Sequence, residues 1–105
     1  MSLRPLTVEE RAAALEKAAA ARATRAMVKN KLKMGSSTVA EVLELGDADE
    51  AIGRLKVSEL LEALPGVGKV RATAMMTQVG IAPTRRLRGL GVHQRRTLLE
   101  LLEQS

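Results

Sequence analysis

The sequence contains no Phe, Trp, Tyr or Cys and only one His. The lack of aromatic residues excludes nucleic-acid-binding modules that stack bases on aromatic platforms. The lack of cysteine excludes a disulfide framework, a thiol nucleophile and a zinc ribbon, and one His cannot form a histidine metal cluster. We therefore expect a protein without a metal or cofactor, one that fits a reducing cytoplasm.

Long apolar runs are missing as well. The opening Met-Ser-Leu-Arg-Pro leads into no continuous apolar stretch, and the four alanines at 18–21 lie between Lys17 and Arg22. This pattern is typical neither of a signal peptide nor of a helix that spans a bilayer. We expect a cytoplasmic protein with no membrane partner.

Basic residues are in excess, and they are unevenly placed. Among 105 residues, 17 Lys and Arg outnumber 12 Asp and Glu, which gives a formal net charge of +5. Residues 69–97 carry seven basic and no acidic side chains, whereas 36–68 carry two basic and seven acidic ones. Such segregation favours a polyanionic partner, nucleic acid above all. Chance clustering on a solvated face is the alternative reading.

The apolar pattern predicts an all-α chain in two parts. Residues 1–35 form an Ala-rich basic helix that begins with a capping box at Thr7 and Glu10 and stops at Gly35. Residues 36–105 hold most of the large aliphatic side chains and form a helical globule. We expect the helix to pack on the globule through its C-terminal half, so that its first half projects.

One face of this first helix is basic. At about 100° per residue, five of its cations fall within an arc of about 80°, whereas its acidic residues Glu9, Glu10 and Glu16 lie elsewhere. The five are Arg11, Arg22, Arg25, Lys29 and Lys33. This stripe is a candidate secondary contact with nucleic acid, and a solvated charge row is the alternative. Its principal members are Arg22, Arg25, Lys29 and Lys33.

Residues 60–76 resemble a helix-hairpin-helix motif, with the hairpin Leu-Pro-Gly-Val-Gly. Pro65 ends one helix, Gly66 and Gly68 permit a tight turn, and a second helix follows. The main-chain amides at the start of that helix form an anion site, to which Lys69 and Arg71 add charge. Phosphate contacts of this kind read no bases. A turn that merely links two packed helices is the alternative.

A second basic element lies between Pro83 and Gly91. Leu87 and Leu90 are expected to anchor it, so that its arginines enter a minor groove or clamp phosphates. The alternative is a solvated loop, and His93 is expected to be a surface residue. The predicted contacts here and on the last helix are Arg85, Arg86, Arg88, Arg95 and Arg96.

Between these elements, Thr38 is predicted to cap a second helix that ends at Gly46. Asp47 or Asp49 is expected to cap a third, short one. Because the carboxylates of 36–68 would repel phosphate, we expect this segment to face away from the ligand or to touch basic residues internally.

The chain as a whole looks like an actinobacterial integration host factor. The resemblance rests on the Ala-rich Leu-Thr-Val-Glu-Glu-Arg opening, on Lys-Val-Ser-Glu-Leu-Leu-Glu-Ala-Leu-Pro at 56–65, on Pro-Thr-Arg-Arg-Leu-Arg-Gly-Leu-Gly at 83–91, and on Gln-Arg-Arg at 94–96. The departures are glycines at 46 and 53 and Val92-His93.

This resemblance implies an all-helical, nucleoid-associated protein with a helix-two-turns-helix globule. It implies binding to double-stranded DNA with weak sequence preference, DNA bending and support of phage site-specific integration, with a phage integrase as partner in a shared DNA complex. By motif, the family's DNA-contacting arginines match Arg85, Arg86 and Arg88, and its hairpin matches Pro65 to Lys69.

Three other functions compete with this one. A DNA glycosylase or lyase is rejected, because Val70 stands where those enzymes carry a catalytic lysine and no acid follows the hairpin until Glu100; we expect no enzymatic activity. A ribosomal-RNA-binding protein with a similar hairpin stays open, as does a module that binds an acidic protein. Without a large exposed apolar stripe, a monomer is the expected state.

Overall fold

The structure is a computed structural model that describes residues 5–103, and within this range it is all-α, as the sequence predicted. Residues 1–4, which entered the argument against a signal peptide, and residues 104–105 lie outside the described range. A 3-10 turn at Leu87–Gly89 precedes the last helix. The six helices are α1 Val8–Lys33, α2 Val39–Ala48, α3 Glu50–Gly53, α4 Val57–Glu62, α5 Lys69–Val79 and α6 Val92–Glu103.

Local capping fixes where the first three helices begin. The Glu10 N–H donates to Thr7 Oγ1 at 3.0 Å, and the Glu41 N–H donates to Thr38 Oγ1 at 3.2 Å, so that both predicted capping boxes are present. Asp49 caps α3 by accepting from an N–H at 3.1 Å. Helix α2 continues two residues past Gly46 and ends at Ala48. None of the helices between residues 5 and 103 combines the length and apolar character needed to cross a bilayer.

Helix α1 packs through its C-terminal half. Its 26 residues span about 39 Å, and its two buried residues are Val28 and Leu32. Leu15, about two turns from the start, is 65% exposed. The first half of α1 therefore depends on helix propensity and surface contacts rather than on the core.

The core draws aliphatic side chains from all six helices and from the 3-10 turn. All buried side chains in the described part of the chain are apolar. Burying one large aliphatic side chain stabilises a fold by about 1.5–3 kcal/mol. The most completely buried large residues are Leu32, Val42, Leu55, Val57, Leu60, Leu61, Leu87 and Leu98.

Helices α2 and α3 approach so closely that glycine is required at the contact. A Cβ on Gly53 would lie 2.7 Å from the carbonyl oxygen of Gly46, a distance that a side chain cannot occupy. The glycines that departed from the family pattern thus belong to one helix crossing. This crossing sets the position of α3 beside α1 and the 3-10 turn.

A short antiparallel pairing joins the segment before α4 to the segment before the 3-10 turn. The Leu87 N–H donates to the Leu55 carbonyl at 2.9 Å, and the Val57 N–H donates to the Arg85 carbonyl at 3.0 Å. Lys56 and Arg86 form the bridge between these two bonds. Two basic residues 30 positions apart in sequence therefore lie side by side.

Candidate nucleic-acid interface

The hairpin between α4 and α5 presents free amides at the start of a helix. Gly66 adopts a φ of 76°, which favours glycine. The first hydrogen bond of α5 runs from the Ala72 N–H to the Gly68 carbonyl at 3.0 Å, so the amides of Gly68 and Lys69 precede the helical ladder. A Cβ added at Gly66 or Gly68 would have no atom within 4 Å, and both residues are exposed. An anionic oxygen can therefore approach these amides.

The side chains of the hairpin point in two ways. Val67 is half-buried against the core, as a residue that joins the two helices should be. Lys69 and Arg71 are both exposed, and Arg71 also borders a groove of about 800 Å³ together with Pro65 and Val67. Lys69, the first residue of α5, is the cation that directly follows the exposed amides.

The second basic element, residues 83–91 and here called the arginine segment, is held to the core by its leucines, as the sequence predicted. Leu87 is 1% exposed and Leu90 is 8% exposed, whereas the arginines around them are exposed. Arg85 Nη1 donates to the Gly89 carbonyl at 3.2 Å, and Arg86 Nη1 donates to the Arg54 carbonyl at 2.6 Å. These bonds to main-chain oxygens orient the guanidinium groups without neutralising them.

The arginine segment and helix α1 enclose a groove of about 640 Å³, here called the arginine groove. Ala18 and Ala21 form part of its α1 wall, and one carboxylate, that of Glu59, borders it. Arg85, with its side chain turned to Gly89, lies outside this lining. The cations that line the groove are Arg22, Arg25, Arg54, Lys56, Arg86 and Arg88.

Two of these cations, Arg54 and Lys56, were missed by sequence reasoning. They are the two basic residues of the otherwise acidic segment 36–68, and the charge count assigned that segment to a face away from the ligand. The available signal was that each directly precedes a buried aliphatic residue, Arg54 before Leu55 and Lys56 before Val57, which is typical of an exposed position beside a buried one.

The predicted basic stripe of α1 divides between two surroundings. Arg22 and Arg25 face the arginine groove. Lys29 and Lys33 border a neighbouring depression together with Glu59 and Glu62 of α4. The lysine end of the stripe therefore lies close to carboxylates, and its positive potential is lower than the charge count implied.

Arg95 is engaged within the protein. Its Nη1 and Nη2 donate to the two oxygens of Asp47 at 2.8 and 2.5 Å, and its side chain is 24% exposed. Hydrogen bonding by Arg95 holds the pKa of Asp47 below its ordinary value, and the same bond raises the pKa of Arg95. The acidic segment thus touches a basic residue internally, as expected. Arg96 and His93 are exposed.

A glutamine braces the start of α6 between two glycines. The Gly91 N–H donates to Gln94 Oε1 at 3.1 Å, and Gln94 Nε2 donates to the Gly80 carbonyl at 3.1 Å. The end of α5 and the end of the arginine segment are therefore fixed to each other. Gln94 therefore links the end of α5 to the residue before α6.

Comparison with known proteins agrees with this geometry. An S13-like H2TH domain model matches residues 32–102. The integration host factor of Mycolicibacterium smegmatis is 59% identical over 105 residues, which is 100% of both chains. That of Mycobacterium tuberculosis is 60% identical over 100 residues, which is 95% of each.

A solved structure leads to the same family. The structure of sIHF bound to an 8-bp palindromic DNA is 50% identical to this chain, with a TM-score of 0.77, and the match covers 85% of this chain and 97% of that one. These matches extend over nearly the whole sequence and include both the hairpin and the arginine segment. The chain therefore belongs to the integration host factor family, whose globule is an S13-like H2TH domain.

Proposed function

We propose that this protein binds duplex DNA through the sugar-phosphate backbone, with little sequence preference. The observation that carries the proposal is the convergence of six cations on one groove in a chain whose structural neighbour is a DNA complex. Lys and Arg contacts to phosphate position a protein on DNA without reading bases. The lack of aromatic residues removes base stacking as an alternative source of affinity.

The proposed contacts form two groups. In the hairpin, the exposed amides bind one phosphate and Lys69 adds a charge, with Pro65, Gly66, Gly68 and Arg71 completing the turn. In the arginine segment, Arg85, Arg86 and Arg88 contact a second stretch of backbone. Arg96 extends this surface, and Arg95 joins it only by leaving Asp47.

Further parts of the proposal concern what DNA binding achieves. Contacts on one side of a duplex neutralise phosphates asymmetrically and favour bending toward the protein. Bent DNA supports nucleoid organisation and site-specific recombination, with a phage integrase acting on the same DNA. The protein acts as a monomer, since it lacks a large exposed apolar stripe. It acts without catalysis, because Val70 occupies the position of the lysine that a hairpin-containing lyase requires.

A ribosomal-RNA-binding protein with a similar hairpin is the alternative that the sequence left open, so RNA is the competitor to test. Fluorescence anisotropy with a labelled 20-bp mixed-sequence duplex measures the affinity, and unlabelled double-stranded RNA of the same sequence competes. We expect DNA to compete at least tenfold better than RNA. If RNA competes equally well or better, the protein is an RNA binder and the DNA assignment is wrong.

Salt dependence tests the number of contacts. If six to eight phosphates are bound, the logarithm of the affinity falls with the logarithm of salt concentration with a slope of about −5 to −7. A slope near −1 contradicts a multi-contact backbone interface. The triple substitution of Arg85, Arg86 and Arg88 by Ala should weaken binding by at least a hundredfold and leave helicity unchanged, whereas Lys31→Ala, on another face of α1, should change affinity less than twofold.

A further inference from the structure

The arginine groove joins two surfaces that the sequence assigned to separate roles. Arg22 and Arg25 come from the projecting helix α1, and Arg86 and Arg88 come from the arginine segment. We propose that these residues, completed by Arg54 and Lys56, form a single phosphate-binding groove that grips one strand of one duplex. Helix α1 is then a wall of the primary DNA site and does not reach for another DNA segment. This inference rests on the proposed function.

Main-chain oxygens of α3 and of the residue after it hold the two walls in register. Arg25 Nη1 donates to the Ala51 carbonyl at 3.4 Å, and Arg86 Nη1 donates to the Arg54 carbonyl at 2.6 Å. The two donors are 61 residues apart in sequence, yet their acceptors are three residues apart. Because these acceptors are neutral, each guanidinium keeps its full charge and its remaining N–H groups for a ligand.

The pairing of Lys56 with Arg86 also indicates an anionic ligand. Residues directly opposite each other in an antiparallel pair have Cβ atoms about 4.5–5.5 Å apart, and like charges there are destabilising. The main-chain bonds on both sides of this pair hold it in place. A phosphate between the two side chains converts this repulsion into two attractions.

The charge of the groove is incompletely balanced by the protein itself. Arg54 pairs with Glu50 at 2.6 Å, one turn earlier. Glu59 is the one carboxylate among the residues that line the groove, and it also borders the neighbouring depression that Lys29 and Lys33 line. The groove therefore keeps a positive excess that bound phosphate groups offset.

A short duplex distinguishes one shared groove from two separate DNA contacts. A 10-bp duplex is about 34 Å long, so a contact that serves only another DNA segment does not affect its binding. We expect Lys56→Gln and Arg22→Gln each to weaken binding to this duplex about tenfold. Each should also reduce the salt slope by about one.

The matched control is Lys31→Gln, which removes the same charge from α1 at an exposed position outside the groove. It should change the affinity less than twofold. If Arg22→Gln and Lys56→Gln behave like Lys31→Gln on the short duplex, the shared groove is wrong. Circular dichroism at 222 nm and the thermal midpoint verify that all variants are folded.

Failure of this inference is distinguishable from failure of the proposed function. If the wild-type protein does not bind the duplex at low salt, the proposed function itself is wrong. If the wild type binds and Lys69→Gln in the hairpin weakens binding, but the groove variants do not, DNA binding stands and the groove assignment alone falls. Tripolyphosphate gives a measurement that needs no DNA. It should raise the thermal midpoint of the wild type and raise that of Lys56→Gln less.

Discussion

The crossing of α2 and α3 predicts opposite effects for two glycine-to-alanine substitutions that lie against each other. A Cβ on Gly53 would lie 2.7 Å from the Gly46 carbonyl oxygen, whereas the nearest atom to a Cβ on Gly46 lies 3.6 Å away. The first distance forces backbone to shift, and the second is ordinary van der Waals contact. Gly53→Ala should therefore destabilise the fold, and Gly46→Ala should stabilise it.

The magnitudes follow from two competing contributions to the free energy of unfolding. Replacing a helical glycine by alanine gains about 0.5–1 kcal/mol through lower backbone entropy in the unfolded chain. Overpacking against atoms that cannot move costs about 1–3 kcal/mol. For Gly46→Ala only the gain applies. For Gly53→Ala the cost exceeds the gain by about 1–2 kcal/mol, since residue 53 ends a four-residue helix and gains little.

Urea and thermal unfolding followed by circular dichroism at 222 nm measure both variants. In a domain of this size, 1 kcal/mol corresponds to a shift in the thermal midpoint of about 4–8 °C, so the two variants should separate by more than 5 °C. Gly53→Ala should also weaken DNA binding, because the backbone shift that it forces would displace α3 from the 3-10 turn that it contacts. A Gly53→Ala protein as stable as Gly46→Ala would refute the close crossing.

Four further substitutions test two helix caps, a turn and the exposed ion pair of Asp47 with Arg95. Thr38→Ala should lower the free energy of unfolding by about 1 kcal/mol in urea, whereas Thr7→Ala, at the unburied end of α1, should leave it almost unchanged. Gly66→Ala, at φ 76°, should cost about 1–2 kcal/mol. Asp47→Asn should remove a stabilisation that the wild type has above the ordinary carboxyl pKa of 3.8 and loses as pH falls through its lowered value; matching acid-unfolding curves would contradict it.

Local signals made most of the fold predictable. The pairs Thr7 with Glu10 and Thr38 with Glu41 are three residues apart, so each capping box depends only on neighbouring backbone. The Leu-Pro-Gly-Val-Gly hairpin likewise contains its own turn chemistry within five residues. The sequence could not show that Gly46 and Gly53 meet, because only their relative position in space explains why both lack a side chain.

The candidate site was less predictable because it is assembled from distant segments. The cations of the arginine groove come from α1, from the residues before α4 and from the arginine segment. The charge count ranked segments by their sums, and it therefore placed Arg54 and Lys56 with the acidic residues around them. What brings them to the groove is main-chain pairing with residues 85–87, and no pattern in the sequence specifies that pairing.

The partner of each arginine determines how much positive charge it can offer a phosphate. Arg25 and Arg86 are oriented by neutral carbonyl oxygens, so they keep a net charge that a phosphate can bind. Arg95 is held by both oxygens of Asp47, and a phosphate must displace a carboxylate to reach it. These three arginines contribute equally to the net charge of the sequence. They differ in the charge they can offer a phosphate, because a carbonyl acceptor fixes the geometry alone, whereas a carboxylate acceptor also cancels the charge. We therefore expect the groove to bind phosphate more readily than the start of α6 does.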